Sequence, residues 1–272
     1  MDIDIIIKWA IELYSEEIEE MNAIVLSYDS GLPKDHLLKT HIEKHNPLFI
    51  IAKKGKRIIS FQCHSIYYEH TPFSKYPLPI ILGGAAYHLK DQPKKGLANK
   101  MAKLFLQQCF GRFWFLKRIV MIADTVNPKS LRAMNMVFKG AFPDMHKPSP
   151  KSIQIFTKNI MKKYYGQQVE LDEYFVMRNA HQYNGITNIT HSWETMYRTK
   201  NEAYERYYLD QEVIKKIGNN YFINGDSIVG VCYYSPVKLL SSYFKKLFKQ
   251  KLTTKNKRYW WQSERNTSQK VA

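Results

Sequence analysis

Two lysines and a glycine stand where a strand pattern gives way to a helix pattern. Lys94, Lys95 and Gly96 follow the buried-strand pattern of residues 78–89 and precede the amphipathic helix pattern of residues 97–110. A helix N-terminus presents unpaired N–H groups and the positive end of the helix dipole, and a glycine lets successive amides curl around an anion. The spacing therefore predicts a phosphate-binding loop, with a solvated basic turn as the alternative.

A second strand-to-helix junction follows the first. The apolar segment 118–125 predicts a short buried strand. Asn127 comes directly after it, and Pro128 suits the first turn of a helix over residues 128–138. The sequence therefore predicts two consecutive strand–loop–helix units.

Together these two units resemble the GNAT N-acetyltransferase superfamily. In that family a strand followed by (Gln/Arg)-x-x-Gly-x-(Gly/Ala) binds the coenzyme A pyrophosphate, and Asn-x-x-(Ala/Ser) precedes a helix that lies along the cofactor. The first motif corresponds to residues 93–98 here and the second to residues 127–130. The resemblance covers about residues 1–145 and implies an α/β fold, a GNAT-like mixed central sheet flanked by helices.

The resemblance also implies acetyl-CoA or a longer acyl-CoA as the cofactor. The residues that it assigns to the cofactor are Ala86, Tyr87, His88, Lys94, Lys95, Gly96, Leu97, Ala98, Asn127 and Ser130. Two positions depart from the family pattern, because Pro93 replaces the usual Gln or Arg and Met134 stands where a tyrosine commonly protonates the departing thiolate. A thioether cannot donate a proton, so we expect water or another side chain to protonate the thiolate.

Ring side chains near the end of the strand at 78–89 are candidates for proton transfer. His88 and Tyr87 are the candidate catalytic residues, and His64 on the neighbouring strand is a further candidate. Imidazole titrates near neutral pH, which suits a base for an ammonium acceptor, while a structural role is the alternative for a histidine in a strand. The small residues at 83–86 suit close approach by a ligand or, equally, a bulge packed on a neighbouring backbone.

Metal and disulfide signals are weak. His41 and His45 have ligand spacing on one helical face, but no third ligand is evident, so no metal site is expected. The three cysteines (Cys63, Cys109, Cys232) form no CxxC pair, which indicates neither a zinc ribbon nor a disulfide framework. A reducing compartment is the plain interpretation.

The overall charge favours anionic partners. The 272 residues carry a formal net charge of +17, from 41 Lys and Arg against 24 Asp and Glu, and 44% are hydrophobic. Such composition excludes a wholly disordered chain and favours nucleic acid, anionic lipid or phosphorylated cofactors. Because Asp2 and Asp4 stand where a signal peptide is basic, we expect a cytoplasmic protein, with peripheral contact with a membrane as an open alternative.

The coarse order of elements agrees with a mixed α/β domain over residues 1–145. We expect a helix over residues 3–25, a second over 34–45, and two strands within 47–68 joined at residues 53–56. With the two strand–loop–helix units, this gives the order ααβββαβα.

The sequence pattern of residues 146–235 predicts an α+β extension of the fold or a subdomain. The expected elements are a helix at 152–164, a strand at 169–177, a helix at 194–217 and a hairpin at 219–234. The sequence leaves open whether this part is an appended subdomain or an extension of the first sheet.

Residues 236–272 form a basic tail. Residues 238–272 hold ten Lys and Arg and one acid, Glu264, with a helical apolar spacing followed by Tyr-Trp-Trp. A basic amphipathic segment with indoles fits an anionic membrane surface, and lysines with stackable rings fit nucleic acid. We therefore expect such a contact through residues 236–262, with a docked helix and a solvated tail as the alternative.

The first interpretation of the whole sequence is a CoA-dependent N-acyltransferase, acetyl or longer acyl, acting on an amine acceptor. The alternative is a catalytically inactive GNAT-like binding scaffold whose basic tail contacts membrane or nucleic acid. A third interpretation keeps acyl transfer but takes the acyl group from acyl carrier protein, whose acidic surface suits the positive charge of this chain.

Overall fold

A computed structural model gives the fold for residues 3–28, 32–90, 96–138, 141–181 and 186–237. The strands are β1 (Ile3–Trp9), β2 (Leu48–Lys54), β3 (Arg57–Thr71), β4 (Ser74–His88), β5 (Ile119–Thr125), β6 (Ala141–Phe142), β7 (Val176–Met177), β8 (Thr187–Asn188), β9 (Ile214–Ile217), β10 (Asn220–Ile223) and β11 (Ser227–Tyr234). The α-helices are α1 (Ser15–Tyr28), α2 (Glu43–His45), α3 (Leu97–Phe110), α4 (Pro128–Phe138), α5 (Lys151–Tyr165), α6 (Thr190–Ser192) and α7 (Glu202–Asp210). A π-type turn, Leu38–Ile42, leads directly into α2.

Eight of the described strands form one mixed sheet. Its order is β1-β2-β3-β4-β5-β11-β6, and β7 also pairs with β11. β4 and β5 run parallel, and the other pairs of this sheet are antiparallel. A central mixed sheet flanked by helices is the fold class that the sequence predicted, and the structure confirms it.

Helices cover both faces of this sheet. Val229 and Val231 of β11 pack into the hydrophobic cluster that contains α5, whereas Gly230 between them faces Met134 of α4. On the neighbouring strands, Ile81 of β4 packs against α3. The face that carries α5 also carries α1, and α3 and α4 share the opposite face. Side chains that alternate along each strand therefore fill two separate cores.

The N-terminal segment corrects one expectation. The helix predicted over residues 3–25 begins only at Ser15, and the residues before it form β1. In β1, Ile5 and Ile7 pack on the α3 side of the sheet and Ile6 packs on the α1 side, an alternation of period two. Because β-branched side chains favour strands, pairing with β2 outweighs the helical spacing of the same isoleucines.

The extension joins the central sheet through β11, which lies between β5 and β6. Two strands of residues 146–235, β7 and β11, pair within the central sheet, and β8, β10 and β9 form a small sheet of their own. The helix predicted at 152–164 is confirmed as α5.

Three other expectations for the extension were wrong. The strand at 169–177 shrinks to β7, and the helix at 194–217 is divided among the π-type turn Trp193–Tyr197, α7 and β9. The expected hairpin at 219–234 does not form, because β10 pairs with β8 and β9 while β11 pairs within the central sheet. The tight turn lies instead between β9 and β10, where Gly218 has a φ of 59°.

Some predictions fall on residues outside the described ranges. Lys94, Lys95 and the tail residues 238–272 belong to this group, so what the sequence predicted for them stays a prediction. Within the described ranges, no helix combines the length and apolarity needed to cross a membrane.

Candidate functional site

A wedge opens between β4 and β5 in the middle of the sheet. The two strands pair over residues 80–83 and 120–123, after which β4 continues to His88 along β3 while β5 continues along β11. The register of β3 against β4 shifts between Gln62 and His64. Because a bulge of this kind bends its strand, the end of β4 turns away from β5 and its backbone groups face the gap.

Two glycines allow the close packing from which the wedge opens. A Cβ at Gly83 would lie 2.6 Å from Cβ of Ala123 on the parallel strand. A Cβ at Gly84 would lie 2.8 Å from Sγ of Cys63 and 3.3 Å from Nδ1 of His41. Both glycines pack closely on neighbouring strands, and both also line the gap between β4 and β5.

The wedge holds a cavity of about 380 Å³. Its walls come from the end of β4, the end of β5, the start of α4 and the segment that leads into α2. The structure brings half of the predicted site residues together on these walls, namely Ala86, Tyr87, His88, Asn127 and Ser130. Their roles in cofactor binding and catalysis stay predictions.

The start of α3 lies beside the rim of the wedge. Gly96 is its N-cap, with a φ of 78°, and a glycine offers no side chain to cap the N–H groups of Leu97 and the following residues. The side-chain amide of Gln62 donates to the carbonyl oxygen of Ala98 at 3.4 Å, and Gln62 pairs with Ala86 of the wedge. Gly96, Leu97 and Ala98, which the sequence predicted to bind the cofactor, therefore lie next to the cavity rather than on its walls.

Asn127 stabilises the start of α4. Its side-chain oxygen accepts the N–H of Lys129 at 2.9 Å, and its carbonyl oxygen accepts the N–H of Ser130 at 2.9 Å. The hydroxyl of Thr125 in turn accepts the Asn127 N–H at 3.0 Å. Asn127 is thus a helix N-cap, and the same capped turn forms one wall of the cavity.

The candidate proton carriers on β3 and β4 lie among aromatic rings. The ring of Tyr28 is 5.8 Å from the rings of both Tyr87 and His88. His64 is buried, with its ring 4.8 Å from that of Phe105, and burial lowers the pKa of His64 to about 4. Its Nδ1 atom has no hydrogen-bond partner within the described ranges, although the residue lines the cavity. His64 is therefore neutral at pH 7 and offers one polar atom to a ligand.

A carboxylate and an imidazole form the strongest electrostatic feature of the cavity. His181 Nε2 lies 3.1 Å from Asp124 Oδ2, and the Tyr165 hydroxyl donates to Asp124 Oδ1 at 3.5 Å. Burial opposes ionisation of Asp124, but the hydrogen bond and charge of His181 outweigh it, so the pKa of Asp124 lies below its usual value. An ionised carboxylate only accepts hydrogen bonds, so Nε2 of His181 carries a proton and donates it to Asp124.

The connection between β10 and β11 holds His181 in place. The His181 N–H donates to the carbonyl oxygen of Gly225 at 2.9 Å. The buried carboxylate of Asp226 accepts hydrogen bonds from the Arg178 guanidinium and from the Asn179 N–H, each at 2.8 Å. The segment that carries His181 is thus fixed at three points by one turn of the extension.

Two further histidines adjoin this pair. The ring of His36 is 6.1 Å from that of His181 and 5.7 Å from that of His41. Burial and the charge of His181 lower the pKa of His36 to about 4, and burial and His36 lower the pKa of His41 to about 3. Both rings are neutral at pH 7. Across the described residues, no group of three or more His, Cys, Asp or Glu side chains is arranged to hold a metal ion.

A second cavity, of about 530 Å³, lies on the other side of the same histidines. Its walls come from residues 36–44, the end of α5 and residues 168–181. His36 and His181 belong to the walls of both cavities. Two small molecules bound in the two cavities would therefore meet at these imidazoles.

The similarity of this chain to known proteins is distant. No protein-family model and no curated protein matches the chain. Among solved structures, an acyl-CoA N-acyltransferase from Pseudomonas aeruginosa is 11% identical and covers 45% of this chain and 80% of its own, with a TM-score of 0.33. A ribosomal-protein-alanine N-acetyltransferase from Brucella melitensis biovar Abortus 2308 is 17% identical and covers 50% and 90%, with a TM-score of 0.37.

An aminoglycoside N-acetyltransferase solved in complex with CoA is 17% identical and covers 50% of this chain and 84% of its own, with a TM-score of 0.35. Each of these three likenesses covers about half of this chain.

Proposed function

We propose that the chain transfers an acyl group from a coenzyme A thioester to an amine. The observation that carries this proposal is the meeting of two cavities at His36 and His181, with Asp124 holding the His181 ring. A basic ring nitrogen then lies between a site for the donor and a site for the acceptor. Such an arrangement suits direct transfer, in which both substrates are bound together and the reacting atoms are held close.

The wedge is the proposed donor site. Backbone groups of residues 84–88, beyond the bulge, supply hydrogen-bonding partners for a pantetheine arm, and an amide near Ala86 polarises the thioester oxygen. The N–H groups at the start of α3 form an anion site for the pyrophosphate. Lys94 and Lys95 immediately precede that helix start in the sequence and would add positive charge.

The second cavity is the proposed acceptor site. Its walls carry the carboxylates of Glu43 and Glu170 and the cations of Lys44 and Arg178. These groups suit a polar acceptor that bears charge. A primary amine is protonated at pH 7, so the ionised Asp124 carboxylate attracts it toward the shared wall.

The chemistry follows from the state of His181. Its Nδ1 removes a proton from the acceptor ammonium, and Asp124 stabilises the imidazolium that forms. The freed amine nitrogen attacks the thioester carbonyl, a new C–N bond replaces the C–S bond, and coenzyme A leaves as a thiolate. The acylated nitrogen loses its second proton to water, and the imidazolium of His181 protonates the thiolate, so one proton is released to solvent overall.

Release of free thiol from acetyl-CoA in the presence of a panel of amines tests this function. His181→Ala is expected to lower kcat by a factor of about 100 to 10,000, the range for loss of a general base, while acetyl-CoA still binds. Asp124→Asn is expected to act in the same direction, because its amide no longer favours the imidazolium. His191→Ala is the matched control, since this exposed histidine lies in the same extension.

Wild-type turnover in the His181→Ala variant would overturn the assigned role. Acetyl-CoA binding without thiol release from any amine would favour the inactive binding scaffold. Release that occurs only with acylated acyl carrier protein would move the donor to that protein and keep acyl transfer.

A further inference from the structure

A loop at the opposite end of the sheet exposes aromatic and basic side chains together. This basic-aromatic loop, residues 111–118, connects α3 to β5 and reads Gly-Arg-Phe-Trp-Phe-Leu-Lys-Arg. Phe113 and Leu116 are each 60% exposed and Phe115 is 45% exposed. Adjacent large apolar side chains are rarely this exposed on the surface of a soluble protein, so they indicate a contact site.

Hydrogen bonds to the strands of the sheet hold this loop in place. The Tyr234 hydroxyl at the end of β11 donates to the carbonyl oxygen of Phe115 at 2.9 Å. Arg118 donates to the Ser74 hydroxyl at the start of β4 at 3.2 Å. Tyr68, which is 67% exposed, lines the same surface hollow as Leu116. The apolar side chains are thus presented on a fixed platform.

Positive charge surrounds this platform. Arg112, Lys117 and Arg118 are all exposed, and residues 111–118 contain no acid. Beyond β11 the chain leaves the sheet at this same end, where Val237 is 74% exposed. The residues that follow, 238–272, carry ten Lys and Arg against one acid. Because the loop and the tail have the same sign of charge, they repel each other and attract a common anionic partner.

We propose that the basic-aromatic loop docks on an anionic lipid membrane. Phe113, Phe115 and Leu116 enter the interfacial layer, and Arg112, Lys117 and Arg118 contact anionic headgroups. Nucleic acid matches the charge and the rings, but aliphatic Leu116 and Val237 favour an apolar phase over base stacking. The ten Lys and Arg of residues 238–272 add to the positive charge that attracts anionic lipid.

A molecule docked through this loop keeps the wedge exposed to water. The loop lies at the start of β4 and β5, whereas the wedge lies at their ends. β5 separates the two by its length of seven residues, about 23 Å at the usual rise per residue. A membrane-bound molecule would therefore face its acceptor cavity toward the aqueous phase.

Co-sedimentation of the full chain with lipid vesicles tests the docking. One vesicle preparation mixes phosphatidylglycerol with phosphatidylcholine, and the other contains phosphatidylcholine alone. Binding to the anionic vesicles is expected, with strong salt dependence. The double variant Phe113→Ser and Leu116→Ser is expected to weaken that binding at least about tenfold.

The matched control is the double variant Ile186→Ser and Ile217→Ser. These isoleucines are 69% and 65% exposed and lie in the extension, so their replacement is expected to leave vesicle binding unchanged. An unchanged melting temperature shows that either variant is folded. Equal vesicle binding by the loop variant and the wild type would overturn the proposal, and so would binding to oligonucleotides with none to anionic vesicles.

Discussion

His181 of the extension and Asp124 at the end of β5 lie 3.1 Å apart, Nε2 to Oδ2. This contact joins two parts of the chain that are far apart in sequence. It also places the His181 imidazole on the walls of two cavities. The extension thus supplies one residue of the candidate site, His181.

Asp226 is predicted to affect turnover because it helps to position His181. Asp226→Asn keeps an acceptor for the Asn179 N–H but removes the nearer of the two carboxylates that pair with Arg178, leaving Asp172. We expect kcat to fall roughly tenfold, because a small displacement of a catalytic group is costly, while the affinity for acetyl-CoA stays unchanged. Steady-state kinetics with acetyl-CoA titration measures both quantities. An equal loss of acetyl-CoA affinity would show that Asp226 supports the wedge instead.

The stability of the fold is predicted to fall as the pH is lowered from about 6.5 to about 4. His64 and His36 are buried, and the pKa of each is lowered to about 4. In this window the unfolded chain takes up protons that the folded chain does not, so the free energy of unfolding falls as the pH is lowered. The contribution of His64 is on the order of 3 kcal/mol.

Urea unfolding as a function of pH checks this expectation. His64→Gln should flatten the slope of the free energy of unfolding against pH. His70→Gln is the matched control for the substitution itself, because His70 lies exposed on the same strand. Equal slopes for His64→Gln and the wild type would show that His64 does not titrate with unfolding.

Met134 is predicted to serve packing and not proton transfer. It lines the wedge cavity, and a Cβ at Gly230 would lie 2.9 Å from its Cε. Met134→Ala should therefore lower the free energy of unfolding by about 1–3 kcal/mol with little change in kcat. Thermal unfolding and thiol release measure the two effects. A collapse of kcat with intact acetyl-CoA binding would contradict this role.

Local patterns in the sequence were sufficient for the elements that build the wedge. Helix α3 has the bounds predicted from its amphipathic spacing, and Pro128 and Asn127 correctly placed the start of α4. The small residues before Ala86 correctly indicated a bulge or close approach. In each case the signal and its structural consequence lie within a few residues of each other.

The Asp124–His181 pair had no such local signal. Asp124 looked like the last polar residue of a strand, and His181 lies in a segment without a motif. Asn224, Gly225 and Asp226 suggested a hairpin turn, yet the structure uses them to connect two sheets and to hold the His181 segment. Only pairing of β11 with β5 brings these residues together, and pairing between distant strands cannot be derived from the periodicity of either one.

Calorimetric titration with acetyl-CoA is the most direct test of the proposed donor site. The wild type is expected to bind in the micromolar to millimolar range typical of enzyme substrates, and Ala86→Trp, which fills the wedge, should abolish that binding. Ala133→Trp, on the exposed side of α4, should bind like the wild type. Absence of binding by the wild type, or undiminished binding by Ala86→Trp, would contradict the assignment of the wedge to acyl-CoA.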